Sequence, residues 1–177
     1  MKNRSLRMLV SALALLALPA AGAQAAPAEP AAVGPHAASC AAGAAAPAVL
    51  VTVTGFKDHV GQIVVKAFRA SEDDFLKSGK YLVKYAVPVP AQGDLTVCVP
   101  LPGDHPNYAI TILHDRDGDG KTDLWSDGVG VSNNPKLKLA KPPVSQVAFK
   151  APSSVGVMKI VLNYVSGLSV KPIREDR

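Results

Sequence analysis

The chain has 177 residues, of which 48% are hydrophobic and 19% are charged, and its formal net charge is +5. This composition is typical of a globular protein, and the length suits a single domain that buries about two-thirds of its unfolded surface. The basic residues are scattered and do not alternate with aromatic residues in a stripe, so we predict no nucleic-acid partner.

Residues 1–25 have the pattern of a secretory signal peptide. Lys2, Arg4 and Arg7 precede an apolar run from 8 to 20, and small residues follow up to Ala25. That run is too short to cross a bilayer, and we predict no transmembrane segment in the mature chain. The signal holds three of the 19 basic residues and none of the 14 acidic ones, so cleavage lowers the formal net charge from +5 to +2. We therefore predict a periplasmic or extracellular protein.

Residues 26–48 are rich in alanine and proline, and we interpret them as a tether. Four prolines interrupt any helix there: Pro27, Pro30, Pro35 and Pro47. Cys40 in this segment and Cys98 are the only cysteines of the chain. An even count in an exported chain predicts a disulfide, which would join the tether to the domain. The alternative is a pair of free thiols, one of them reactive.

From residue 49 to residue 165 the sequence indicates short strands separated by turns. Alternating and β-branched apolar residues predict about seven strands, at 49–54, 61–69, 81–89, 95–99, 108–113, 144–149 and 155–165. Glycine and aspartate mark the turns between several of them. Regular spacing of this kind predicts an all-β fold, specifically an antiparallel β-sandwich.

Two segments depart from the strand pattern. Ser71 is placed to cap a helix from Glu72 to Ser78, and Gly79 is placed to end it, so we predict one short helical insert. Residues 166–177 show no hydrophobic period and end in Arg-Glu-Asp-Arg. We predict that they form a flexible tail.

An acidic loop directly follows the strand at 108–113. Residues 115–123 read Asp-Arg-Asp-Gly-Asp-Gly-Lys-Thr-Asp, and carboxylates this close together repel one another without a counter-ion. Calcium binds six to eight oxygens, and the spacing follows an EF-hand loop up to its ninth position. The twelfth position is Ser126 instead of glutamate, with an aspartate one residue later. We predict a weak calcium site formed by Asp115, Asp117, Asp119, Lys121 through its carbonyl, Asp123 and Asp127.

Two other interpretations of this loop stay open. Asp-Gly pairs also favour tight hairpin turns, so the segment could be a solvated turn without a metal, or it could bind another cation.

Trp125, the only tryptophan, lies beside the last carboxylates. It could stack on a sugar or a partner surface, or fold back over the loop, and we favour the second. His114 could join His105 or Asp104 at a transition metal, but the usual ligand spacings are absent, so we predict a structural histidine.

Several motifs spread over the domain fit a known pattern. They are a Val/Thr strand ending in Gly55, Gly61-Gln62-Ile63-Val64, the insert around Phe75, Tyr108-Ala109-Ile110, the stretch from His114 to Gly120, and Ser132-Asn133-Asn134. Together they resemble the bacterial exported family called domain of unknown function 2141. The resemblance implies an immunoglobulin-like or transthyretin-like sandwich and implies no particular activity.

No motif in the sequence indicates catalysis. Gly-x-Ser-x-Gly, His-Glu-x-x-His and phosphate-binding loops are all absent. We predict a non-enzymatic binding or structural module whose partner is unknown, with a cell-envelope protein or a polysaccharide as candidates. The first alternative is a carbohydrate-binding or adhesion module that uses Trp125 and the calcium loop. The second is a metal-dependent hydrolase, in which a metal held by Asp117 or Asp123 activates water.

Overall fold

The computed structural model describes residues 31–44 and 47–173. Within these ranges the strands are β1 (Ala48–Thr54), β2 (Gln62–Arg69), β3 (Tyr81–Pro88), β4 (Leu95–Pro100), β5 (Tyr108–Asp115), β6 (Gly128–Val131), β7 (Val155–Val161), β8 (Asn163–Ser166) and β9 (Ser169–Pro172). A 3-10 turn at Ala37–Cys40 and one α-helical turn at Val144–Val147 are the helical elements of this part. Neither is long enough to cross a membrane. The predicted signal peptide lies outside the described residues.

The nine strands form two sheets. The smaller sheet has the order β4-β1-β7, and the larger has the order β3-β2-β5-β6-β8-β9. Every pair of neighbouring strands is antiparallel except β1 and β7, where Ala48 lies beside Val155 and Thr54 beside Val161. The predicted all-β sandwich is confirmed, with nine strands instead of about seven and with one parallel pairing.

The main core lies between the two sheets. Side chains alternate across a strand, so every second residue of β1, β2 and β5 points into this space. The buried side chains include Val49, Val51, Val53, Ile63, Val65, Ile110, Ile112 and Ile160. Each contributes about 1.5–3 kcal/mol relative to an exposed side chain, and together they hold the sheets against each other.

A second apolar cluster covers part of the outer face of the larger sheet. After β6 the chain crosses this face in residues 132–149, and the packed side chains are Phe68, Phe75, Ala109, Val131, Leu137, Val144 and Val147. The predicted strand at 144–149 is wrong, because both valines of this segment lie on the buried side of a helical turn. Phe149 alone forms a strand-like bridge, to Tyr108.

The described part of the Ala/Pro-rich segment packs against the smaller sheet. The structure contains the predicted disulfide between Cys40 and Cys98, with the Cα atoms 5.7 Å apart. Val33 forms an isolated bridge with Val97, and its amide donates to the carbonyl of Thr96 at 2.9 Å. Residues 31–44 are therefore part of the folded domain and not of a free tether.

The predicted helix at 72–78 is wrong, because this segment folds as consecutive turns. Its start matches the prediction: Ser71 Oγ accepts from the amide of Asp74, and the Phe75 amide donates to the Ser71 carbonyl. Leu76 then adopts a φ of 59°, which ends the turn. A single helical turn is costly to form by itself, and here the burial of Phe75 against Phe68 fixes the backbone instead.

The C-terminal part of the chain belongs to both sheets. β7 lies in the smaller sheet and β8 in the larger, and the fully buried Leu162 joins them. β9 then pairs with β8, from Asn163 beside Pro172 to Ser166 beside Ser169. The predicted flexible tail at 166–177 is therefore wrong for residues 169–172. The sequence gives little sign of β9, because this strand is short and largely exposed and needs no apolar alternation.

Candidate metal-binding loop

The acidic loop connects β5 to β6, which are neighbours in the larger sheet. Asp115 ends β5, and its side chain is fully buried. Gln62 lies beside it on β2 and donates from Nε2 to Asp115 Oδ2 at 2.7 Å. Gly61 lets the chains approach here, because any Cβ at this position would overlap the carbonyl oxygen of Asp115. The first carboxylate of the loop is thus fixed by the sheet.

The loop folds around the carboxylate of Asp115. Its Oδ1 accepts from the amide of Gly118 and its Oδ2 from the amide of Gly120, both at 2.9 Å. Both glycines have a φ of +77°, which residues with a side chain rarely adopt. Burial raises the pKa of the Asp115 carboxyl, but the hydrogen bonds from Gln62 and the two amides outweigh it and lower the pKa overall. Asp115 is therefore a fixed anion.

Three carboxylates meet at this loop. Asp115, Asp117 and Asp119 each offer an oxygen, and these oxygens all lie within 4.8 Å of one another. Asp117 accepts from the amide of Asp119 at 3.1 Å, and Asp119 accepts from the amide of Lys121 at 2.7 Å. No other three His, Cys, Asp or Glu residues in the described ranges meet this spacing. We call these residues the carboxylate triad.

The other two predicted acidic ligands have different hydrogen-bond partners. Asp127 is buried and accepts from the amides of Arg116 at 3.1 Å and Asp123 at 2.8 Å, which closes the base of the loop. Asp123 Oδ1 accepts from the amide of Trp125 at 2.9 Å. Both acids lie outside the triad, so metal binding by them and by the carbonyl of Lys121 stays a prediction.

An ion pair that the sequence analysis did not identify anchors the loop. Arg116 Nε donates to the two carboxylate oxygens of Asp58, at 3.1 and 2.9 Å, and its Nη2 also contacts this carboxylate. Arg116 Nη1 donates to the carbonyl of Ser126 at 3.1 Å. The Arg116 guanidinium lowers the pKa of Asp58, and Asp58 raises that of Arg116. Asp58 is remote in sequence, and only its turn-like context marks it.

His114, directly before the loop, is buried and fully hydrogen-bonded. Its Nε2 lies 2.9 Å from the carbonyl of Val60, which can only accept, so Nε2 carries the hydrogen. Nδ1 then accepts from the hydroxyl of Tyr164 at 2.7 Å, and that hydroxyl accepts from the amide of Lys57 at 3.0 Å. Burial lowers the pKa of His114 and favours this neutral form. These contacts agree with the predicted structural role.

Trp125 lies on the outer side of the loop with 70% of its surface exposed. The prediction that it folds back over the loop is wrong. A turn at 124–126 brings its amide to Asp123 and leaves the indole in solvent, with the half-exposed Leu124 beside it. The lone tryptophan is therefore free to contact a ligand or a partner.

The fold and the loop together define a β-sandwich domain whose larger sheet carries an acidic loop between two neighbouring strands. The family model described as "Uncharacterized protein conserved in bacteria (DUF2141)" matches residues 51–158, which is more than half of the chain. The chain belongs to this family, as the motifs in its sequence indicated. No curated protein and no solved structure matches it. Because the family is uncharacterised, membership assigns no activity to the chain.

Proposed function

We propose that the chain is an exported, non-enzymatic binding or structural domain whose loop at 115–127 binds calcium. The observation that carries this proposal is the carboxylate triad, with its oxygens within 4.8 Å of one another. Lys121 Nζ, 3.7 Å from Asp119, is the one cationic group within ion-pair distance of the triad in the described residues, and it is largely exposed. A cation between the carboxylates would remove their mutual repulsion.

The size and chemistry of the triad favour calcium. Calcium binds oxygen ligands at about 2.3–2.6 Å, so two oxygens on opposite sides of the ion lie about 4.6–5.2 Å apart. The triad offers oxygens only, and their spread fits an ion of this size. Backbone carbonyls and water would complete the six to eight ligands. Extracellular calcium modules bind at about 10⁻⁴–10⁻³ M, and a site with three carboxylates, of which only Asp115 is buried, fits this weak range.

The disulfide and the predicted signal peptide support export. The disulfide between Cys40 and Cys98 suits an oxidising compartment such as the periplasm. The predicted signal peptide gives the route, and the domain would then meet cell-envelope proteins or polysaccharides. Calcium that binds the folded chain would order the loop and stabilise the domain.

A calcium titration tests this proposal. The intact chain is depleted of metal, and its thermal melting and Trp125 fluorescence are followed up to 10 mM calcium. With a Kd of 10⁻⁴–10⁻³ M, calcium at 10 mM stabilises the fold by about 1.4–2.7 kcal/mol, a rise in Tm of roughly 3–10 °C. Asp117→Asn should abolish the rise, whereas Asp73→Asn, an exposed acid in the turns after β2 and outside the triad, should keep it. Equal melting with calcium and with chelator would show that the loop is a solvated turn.

A second candidate function is a carbohydrate-binding or adhesion module. The observation in its favour is the 70% exposure of Trp125 beside the acidic loop. An exposed indole is a suitable surface for a sugar ring, and a calcium ion next to it would add hydroxyl ligands. Retention on immobilised polysaccharides should require calcium and should be lost in Trp125→Ala. Retention that survives this substitution would place the contact elsewhere.

The non-enzymatic part of the proposal is supported by the state of His114. This histidine is the one beside the loop, yet both ring nitrogens are hydrogen-bonded and its side chain is buried. A general base needs a nitrogen that can reach a substrate or an attacking water. Calcium-dependent turnover of ester, phosphate or glycoside substrates, abolished by Asp117→Asn, would overturn this part and favour a metal-dependent hydrolase.

A further inference from the structure

A cavity of about 350 Å³ lies on the outer face of the larger sheet. Val64 of β2, Leu113 of β5 and Val129 of β6 contribute to its floor, and Leu137 and Leu139 from the segment after β6 form part of its wall. This volume lies within the 300–1,000 Å³ that ligand pockets usually have. The position is distinct from the carboxylate triad, although the acidic loop contributes part of the rim.

Three exposed leucines converge on this cavity from separate parts of the chain. Leu76 belongs to the turns between β2 and β3, Leu124 to the acidic loop, and Leu139 to the segment after β6, and 46%, 51% and 46% of their surfaces are exposed. A single exposed leucine is ordinary on a protein surface. Three of them around one apolar cavity form a contiguous patch of the kind that marks a binding site.

The polar part of the cavity is positively charged. Lys66, Lys138 and Lys141 line it, and Asp127 is its only acidic residue. Both carboxylate oxygens of Asp127 are already occupied by backbone amides. Lys141 pairs with Glu72 outside the cavity at 3.4 Å. The site is therefore short of negative charge.

Lys66 is the lysine best placed to hold an anion inside the cavity. It lies on β2 with its side chain on the same face as Val64, and it is partly buried. In the described part of the chain no carboxylate lies within ion-pair distance of its ammonium group. Burial, together with the neighbouring Lys84, lowers the pKa of Lys66 below its ordinary value of 10.5. A bound anion would offset both effects.

We propose that this cavity binds a small amphipathic anion, with its apolar body against the floor and the leucines and its carboxylate or sulfonate group at Lys66. The apolar lining selects the body, and Lys66, which has no carboxylate partner in the described residues, selects the charge. This inference goes beyond the calcium proposal and does not depend on it. Because Leu124 belongs to the acidic loop, an ordered loop would also complete the rim.

Two dyes with nearly the same aromatic rings test the proposal on the intact chain. One is 8-anilinonaphthalene-1-sulfonate, an anion, and the other is the neutral N-phenyl-1-naphthylamine. We expect saturable fluorescence with the anionic dye and at least about tenfold weaker binding of it to Lys66→Met, because hydrogen bonds to charged groups are among the stronger ones in proteins. The neutral dye should bind both proteins equally. Lys159→Met removes the same charge from the smaller sheet and should change neither affinity.

A second variant and a competition separate the apolar requirement from the charge. Thr111, on the sheet face inside the cavity, is replaced by tryptophan to fill it, which should weaken both dyes. Decanoate should displace the anionic dye and decylammonium should not. If Thr111→Trp does not fold, as its thermal melting would show, the comparison of Lys66→Met with Lys159→Met decides alone.

Several results would overturn the proposal. These are equal affinity of the anionic dye for wild type and Lys66→Met, displacement by decylammonium as effective as by decanoate, and no saturable binding of either dye. Binding to anionic lipid vesicles without saturable dye binding would also overturn it, since the leucines and lysines would then contact a membrane surface. Every titration is run both with calcium and with chelator. Dye binding that is the same in both would show that the cavity works whether or not the loop binds calcium.

Discussion

Breaking the disulfide should destabilise the domain strongly. Cys40 and Cys98 are 58 positions apart, and a crosslink across a loop of this length lowers the entropy of the unfolded chain. The chain-entropy relation gives about 4 kcal/mol for this separation at 25 °C. For a domain of this size we expect Tm to fall by roughly 8–16 °C.

The variant Cys40→Ala isolates the crosslink. Cys98 is fully buried in β4, so replacing it would also leave a small void, whereas Cys40 is only partly buried. Urea unfolding of wild type, Cys40→Ala and the double variant with Cys98→Ala gives two free-energy differences. The first is the contribution of the crosslink, and the second is the cost of the void at Cys98. Reduction of the wild type should reproduce the loss in Cys40→Ala. Limited proteolysis should then cut within residues 31–44, which the disulfide otherwise holds against β4.

A different result would refute this reasoning. If Cys40→Ala loses less than about 1 kcal/mol and its protease pattern matches that of the wild type, the crosslink adds little. The bridge between Val33 and Val97 would then hold the segment without it. Two alkylatable thiols in freshly isolated protein would contradict the disulfide itself.

Three further predictions concern the packing around the loop and between the sheets. Burial lowers the pKa of His114 in the folded chain below 6.5, so as pH falls the unfolded chain takes up a proton at this histidine before the folded chain does. The urea midpoint should therefore fall as pH drops below about 6.5. His114→Gln should lose this pH dependence, and the substitution of an exposed histidine, His59→Gln, should keep it. Gly130→Val should cost about 1–3 kcal/mol in urea unfolding, because a Cβ there would lie 2.6 Å from Ile160, and an unchanged midpoint would mean that the sheets can separate locally. Asn134→Ala should lower the free energy of unfolding by about 1–3 kcal/mol, since the Asn134 side chain bonds two backbone groups of β7 at 2.7 and 2.8 Å and alanine is strained at its φ of 47°. Asn134→Gly removes the same hydrogen bonds without the backbone strain, so calorimetry should show a smaller loss of stability.

Local patterns were sufficient to predict most of the sandwich. Strands β1 to β5 carry apolar residues with clear alternation or density, and glycines mark the turns between several of them. The predicted strand at 155–165 divides at Leu162, because the chain passes from one sheet to the other there. β6 was missed because it is four residues long and two of them are glycine. The close approach of Gly128 to Tyr164 and of Gly130 to Ile160 explains these glycines only once β7 and β8 are in place.

The candidate site was predictable only where it is local. Asp115, Asp117 and Asp119 alternate within five residues, so the loop alone brings them together. Gln62 and Asp58, which bond Asp115 and Arg116 at the start of the loop, come from a different strand and turn, and no short-range pattern connects them to it. The apolar cavity is less predictable still, because residues from distant segments become neighbours only when the larger sheet forms.

The parallel pairing of β1 with β7 has a consequence for the order in which the protein folds. The first strand of the smaller sheet meets a partner that begins about a hundred residues later, at Val155. A chain that emerges N-terminus first cannot complete this sheet until nearly all of it has been delivered. Contacts of such long range also make folding slow. If the chain is exported, as we propose, a core that cannot close early would keep it competent for translocation until it reaches the far side of the membrane.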